Sequence, residues 1–131
     1  MIAIDSFLYY GTDDRYLNYL VQFIKPDGFV GIVDIAFARE IRSIEEAPEY
    51  LRAQYATNWS YVHSIAWWRR HWEKTGLVDV QCAETLPESR ELLRDYVKGR
   101  PPGQHENPIM QAVPHDHDGL ITLFRLVARK R

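Results

Sequence analysis

The chain has 131 residues, 46% hydrophobic and 26% charged, and its 16 Lys+Arg against 18 Asp+Glu leave a formal net charge of −2. One domain's worth of sequence, able to bury roughly two-thirds of the surface its unfolded form exposes, excludes a disordered tail, a collagen-like repeat and a low-complexity linker. The charge balance lacks the basic excess of a nucleic-acid binder, the lone Cys82 points to a reducing, cytoplasmic compartment, and the chain shows neither a signal-peptide start nor the ~20 apolar residues of a membrane span.

Met1–Phe7 (MIAIDSF) is a short apolar run that predicts a strand buried on both faces, as in a parallel sheet. Thr12 or Asp13 is placed to cap a helix, in which Tyr16, Leu17, Leu20, Val21 and Ile24 recur at helical spacing. Lys25-Pro26-Asp27-Gly28 predicts a turn, with Gly28 free to take positive φ. Phe29–Ile35 (FVGIVDI) reads as a second buried strand, completing a βαβ unit.

Two helices are expected next. A short one starts at Pro48 and reaches about Ala56. A longer one, capped by Asn58 or Ser60, runs to about Thr75 with Gly76 after it and with Val62, Ile65, Trp68 and Trp72 on one face. Leu77–Glu84 alternates as a third strand, with Cys82 inward as a small core residue. Glu88–Lys98 reads as a helix, Asn107–Val113 as a further helical turn, and Leu120–Ala128 as the last strand before the solvated basic tail Arg129-Lys130-Arg131. The order β-α-β-α-α-β-α-(α)-β argues an α/β fold with a largely parallel sheet, the direction of the closing strand left open.

The run IDSFLYYGTDDRYLNYLVQFIKPDGFVGIVD resembles the second half of class I S-adenosylmethionine-dependent methyltransferases. Lys25-Pro26-Asp27-Gly28 looks like the turn that leads into that family's fifth strand, with Asp27 standing where glycine is usual. HSIAWWRRHWEKTGLVDV and LITLFRLVARKR are similar to the branch related to small-molecule and cyclopropane-fatty-acid-synthase-type enzymes. The resemblance implies a partial Rossmann-like sheet with strands equivalent to 4-5-7-6, the last one antiparallel, flanked by helices. It implies a methyl-group acceptor that is a small molecule or lipid-like, with S-adenosylmethionine as cofactor. The family holds that cofactor through a glycine-rich turn and an acidic residue in its first half. The glycines here, among them Gly11, Gly28, Gly31, Gly76 and Gly119, form no GxG. The chain therefore reads as a C-terminal half, inactive alone, with Met1 an internal methionine. The Met1–Phe7 strand then offers an edge for a homodimer or a partner chain. The rival readings are a non-enzymatic half-domain that self-associates or completes a partner, and a small α/β ligand-binding protein.

Ligands of open α/β sheets bind beyond the carboxyl ends of parallel strands, which draws attention to the tip Asp5-Ser6-Phe7-Leu8-Tyr9-Tyr10. Asp5 is a candidate base, with Ser6, Tyr9 and Tyr10 as candidate substrate contacts; packing beneath a helix is the alternative for the tyrosines. His63 with Trp67, and Trp67 with His71, sit four residues apart and share helical faces. His63 is a second candidate base and Trp67 a candidate acceptor wall, whereas Trp68 and Trp72 are expected to pack on the sheet. His105, His115 and His117 with Asp116 and Asp118 are better explained as a solvated loop than as a metal site, since no Cys pair or HExxH accompanies them.

Overall fold

A computed structural model describes residues 1–101 and 111–131. Four strands form one mixed, open sheet: β1 (Ile2–Ile4), β2 (Phe29–Phe37), β3 (Val78–Thr85) and β4 (Ile121–Lys130). Their order is β1-β2-β4-β3. β1 runs parallel to β2, and β4 lies antiparallel between β2 and β3. The α-helices that lie wholly within the described residues are α1 (Tyr16–Leu20), α2 (Glu49–Gln54), α3 (Ile65–Glu73) and α4 (Ser89–Lys98). No helix among the described residues is long and apolar enough to cross a membrane. His105 and most of the helical turn expected over Asn107–Val113 lie outside the described residues.

Strand alternation gives the sheet two unlike faces. Val30, Ile32, Asp34 and Ala36 of β2 share one face with Phe124, Leu126 and Ala128 of β4, and all are buried. α3 covers this face: Trp68 stacks on Phe124 with ring centroids 5.9 Å apart. Phe7 fills the space beside it, 5.9 Å from Trp68 and 5.5 Å from Trp72. The α1 segment lies on the same face, where Lys130 Nζ reaches the carbonyls of Val21 and Ile24 at 2.8 and 2.9 Å. Burying each of these large apolar side chains contributes about 1.5–3 kcal/mol, so this layer dominates the core.

The opposite face is only half covered. Gly31, Val33 and Val127 are partly exposed there, and Ile2 and Ile4 point the same way at 78% and 66% exposure. The expected doubly buried strand is thus an edge strand of three residues. Asp5 takes φ +53°, which turns the chain out of the sheet and swings Phe7 into the core on a 3-10 turn, Phe7–Tyr9.

Other expectations shift for local reasons. Asp13 does not cap α1; its Oδ1 accepts the Arg15 N–H at 2.7 Å, and the helix begins at Tyr16 without a side-chain cap. The residue with positive φ in the Pro26 turn is Asp27, at +59°, rather than Gly28. Ser64, not Asn58 or Ser60, caps α3, its Oγ accepting the Trp67 N–H at 3.2 Å. Val62 is buried but precedes the helix, because the chain pairs Ser64 with Phe37 in a parallel bridge before α3 starts. Cys82 is half-buried rather than a core residue. A bulge between Val80 and Cys82 pairs Cys82 with Val127 and so moves it to the open face. The basic tail is solvated at Arg129 and Arg131 as expected, and it is also paired: Arg129 meets Asp27 at 2.5 Å and Arg131 meets Asp79 at 2.7 Å.

Candidate functional site

Residues with chemistry to offer gather at the carboxyl end of β1 and β2. The bridge between Phe37 and Ser64, with the Phe37 N–H donating to the His63 carbonyl at 3.1 Å, lays the approach to α3 along the end of β2. That puts His63 beside Glu40, 23 residues away in sequence. His63 Nδ1 and Glu40 Oε1 are 2.7 Å apart, and Glu40 Oε2 accepts the Ser64 N–H at 2.7 Å. Burial acts to raise the Glu40 pKa, but the hydrogen bonds from His63 and Ser64 outweigh it and hold the carboxyl below its ordinary value. A carboxylate at Nδ1 selects the tautomer whose Nε2 carries a lone pair, which is the form a general base needs.

Trp67 fixes the ring plane. Its indole stacks on His63 with centroids 3.7 Å apart and 9° between planes. Its other side stacks on His71, at 4.4 Å and 17°. The i, i+4, i+8 spacing on and just before α3 thus becomes a three-ring stack. His71 is the inner member, 4% exposed, with Nε2 3.0 Å from the Gly11 carbonyl. Burial pushes its pKa down and so favours the neutral ring, and Nε2 donates to the Gly11 carbonyl, tying α3 to the loop after the first 3-10 turn.

Asp34 lies beneath the strand tip. It is 2% exposed, with Oδ2 accepting the Leu8 N–H at 3.1 Å and Oδ1 the Ile35 N–H at 2.9 Å. Burial outweighs these donors and pushes its pKa above the ordinary carboxylate value. Tyr9 and Tyr61, whose rings are 6.0 Å apart, both carry phenols pushed up first by burial and then by neighbouring charge, that of Asp34 included. This contact brings the β1 tip to the His63 segment.

The expected site residues are distributed as follows. Asp5 is exposed at the tip, its N–H held by the Val33 carbonyl at 2.9 Å. Ser6 Oγ lies 3.3 Å from the Tyr10 hydroxyl, and the Tyr10 ring packs 4.7 Å from Tyr16. Tyr9 is 70% exposed and Tyr10 39%. Trp68 and Trp72, at 1% and 0% exposure, belong to the core. Asp116 is committed to structure, its oxygens accepting the N–H groups of Leu120 and Ile121 and the Tyr50 hydroxyl. No group of three His, Cys, Asp or Glu side chains converges among the described residues.

Three residues at this edge escaped the sequence reading. Asp34 had a signal, a lone carboxylate inside the apolar run FVGIVDI. Glu40 and Tyr61 had none, since neither lies at a motif spacing from His63.

Among the described residues, Gly11 and Gly119 do not form a cofactor cradle. A Cβ at Gly11 would overlap the Phe7 ring, and one at Gly119, where φ is +69°, would lie 2.7 Å from Arg90 Nη2. Their close approaches are to their own chain. The described residues therefore do not fit S-adenosylmethionine by the backbone contacts the resemblance implies. No family model matches the chain, and no curated protein matches it.

Proposed function

We propose that this chain is the acceptor-side half of a class I methyltransferase acting in the cytoplasm on a small-molecule or lipid-like acceptor, with S-adenosylmethionine held by residues outside it. The observation that carries this reading is the sheet order: a closing strand antiparallel between β2 and β3, with the α1 and α3 segments on one face. That order supports the 4-5-7-6 arrangement the resemblance calls for. The bare β1 edge and the exposed Ile2 and Ile4 suit a neighbouring strand and covering helices from a cofactor-binding half. The same edge favours a second reading, a half-domain that completes a partner without catalysis.

In the enzymatic reading, this half supplies position and a base. Glu40 orients His63, Trp67 holds its plane, and Nε2 takes the proton from an acceptor hydroxyl or amine. Asp5 and the tip tyrosines line the approach.

The DNA around the Met1 codon tests the proposal. An in-frame or adjacent stretch encoding a GxGxG turn, with an acidic residue about 20 positions later, supports it. Absence of such a half from the frame and its neighbours overturns it. With both halves present, S-adenosylhomocysteine is expected to bind by calorimetry; association without binding selects the non-catalytic reading.

A further inference from the structure

A cleft of about 660 Å³ opens between α4 and the segment 113–122, away from the His63 dyad. Its size lies in the ~300–1,000 Å³ range of small-molecule sites. Its floor is largely apolar: Leu93 and Ile121 are 5% and 4% exposed, Val97 lies one turn beyond Leu93, and the buried hydroxyls of Ser89 and Thr122 are spent on each other at 2.9 Å. Its rim is cationic. Arg90, Arg94 and Lys98 follow one another at i, i+4, i+8 on α4 and all line the cleft. All three are exposed, and none has an ion pair among the described residues. Along and just past β4, by contrast, Arg125, Arg129 and Arg131 each meet a carboxylate. Arg90, Arg94 and Lys98 thus form a cationic row over the cleft without an ion pair among the described residues. Asp116 is the acidic residue in the wall, and its two oxygens are already engaged by Leu120, Ile121 and Tyr50. Arg90 is steadied by the His117 carbonyl, 3.5 Å from Nη2, which leaves Arg94 and Lys98 as the cations able to reach a ligand.

We infer that this cleft binds a small anion with an apolar body, a carboxylate or phosphate monoester whose hydrocarbon part lies on Leu93, Val97 and Ile121 and whose head meets Arg94 and Lys98. A guanidinium presents a fork that matches such a head, and the apolar floor selects against inorganic anions. The inference stands apart from methyl transfer, because binding here needs only this chain.

The test is calorimetric titration of decanoate, below its micelle concentration, into the intact 131-residue chain. Decyltrimethylammonium serves as the charge-reversed probe, and vesicles of phosphatidylcholine with phosphatidylglycerol as the membrane source of an anionic head. Decanoate is expected to bind, with amide shifts centred on Leu93, Val97 and Ile121, and at least tenfold more weakly to R94A/K98A. Both substituted side chains are exposed, so the variant is expected to retain the wild-type circular dichroism and melting profile. Decyltrimethylammonium is expected not to bind. Absence of decanoate binding, equal binding by the variant, equal binding of the cation, or binding to vesicles alone would each overturn the assignment.

Discussion

Glu40 and His63, 23 residues apart in sequence, share a 2.7 Å hydrogen bond at the carboxyl edge of the sheet, and the other oxygen of Glu40 holds the Ser64 N–H that begins the α3 cap. One carboxylate thus sets both the tautomer of an imidazole and the start of the helix that stacks upon it. The expected consequence is an Nδ1–H tautomer for His63, readable from its imidazole nitrogen shifts. Glu40→Ala is expected to release that preference while α3 persists through Ser64 Oγ. An unchanged tautomer in the variant would remove Glu40 from the positioning role. On the proposed methyltransferase reading, with a cofactor-binding half supplied, Glu40→Ala should lower kcat by about 10–100-fold with little change in KM, the scale set by loss of a residue that orients a base.

His71 makes stability depend on pH. Its folded pKa is depressed by burial, so its contribution is fully present above the ordinary histidine value of 6.5 and is lost as pH falls below that toward the folded value. The groups facing it are Asp14, Lys74, His63 and the Gly11 carbonyl. Denaturant titrations at a series of pH values should show stability falling below pH about 6.5. His71→Gln, which keeps a donor for Gly11, should flatten that slope. A slope that survives the substitution would assign the proton uptake elsewhere.

Asp34 works in the opposite sense. Its folded pKa is raised, so its contribution is most favourable below the ordinary value of 3.8 and is lost as pH rises through the folded value. Asp34→Ala leaves the Leu8 and Ile35 N–H groups without their acceptor and is expected to cost about 1–3 kcal/mol per buried donor. Asp34→Asn keeps one acceptor and should cost less, with the deficit relative to wild type larger in acid than at neutral pH. A deficit that grows toward neutral pH would contradict this.

Gly11 meets two constraints at once. Its carbonyl receives His71, and its Cα faces the Phe7 ring with no room for a methyl group. Gly11→Ala should destabilise the fold by about 1–3 kcal/mol through overpacking and lower the melting midpoint by several degrees. Gly31→Ala is the control, because a Cβ there would make ordinary contact with Val127 at 3.9 Å. Equal effects at the two positions would show that packing against Phe7 does not govern Gly11.

What could be read in advance followed from repeating patterns. The strands carrying Val30, Val80 and Phe124 and the helix carrying Trp68 and Trp72 were legible, because burial of several side chains at a fixed period leaves a record in sequence. Single events break that record. The bulge at Gln81 reverses the facing of Cys82, and the positive φ of Asp5 turns a hydrophobic run into a three-residue strand and a buried Phe7. His63 was legible as a candidate base, but Glu40 was not, since nothing local links AREI to YVHS.

Composition and periodicity alone determined the α/β class, the element order and the tryptophan core, all of which depend on near neighbours along the chain. The place of β4 between β2 and β3 was expected from the family resemblance and from no spacing in the chain; only the tertiary structure decided that one sheet face stays half open and that Glu40 holds His63. Strand order and side-chain pairing are set by contacts between residues far apart in sequence, where spacing carries no information and the chain must close in space before the partners meet.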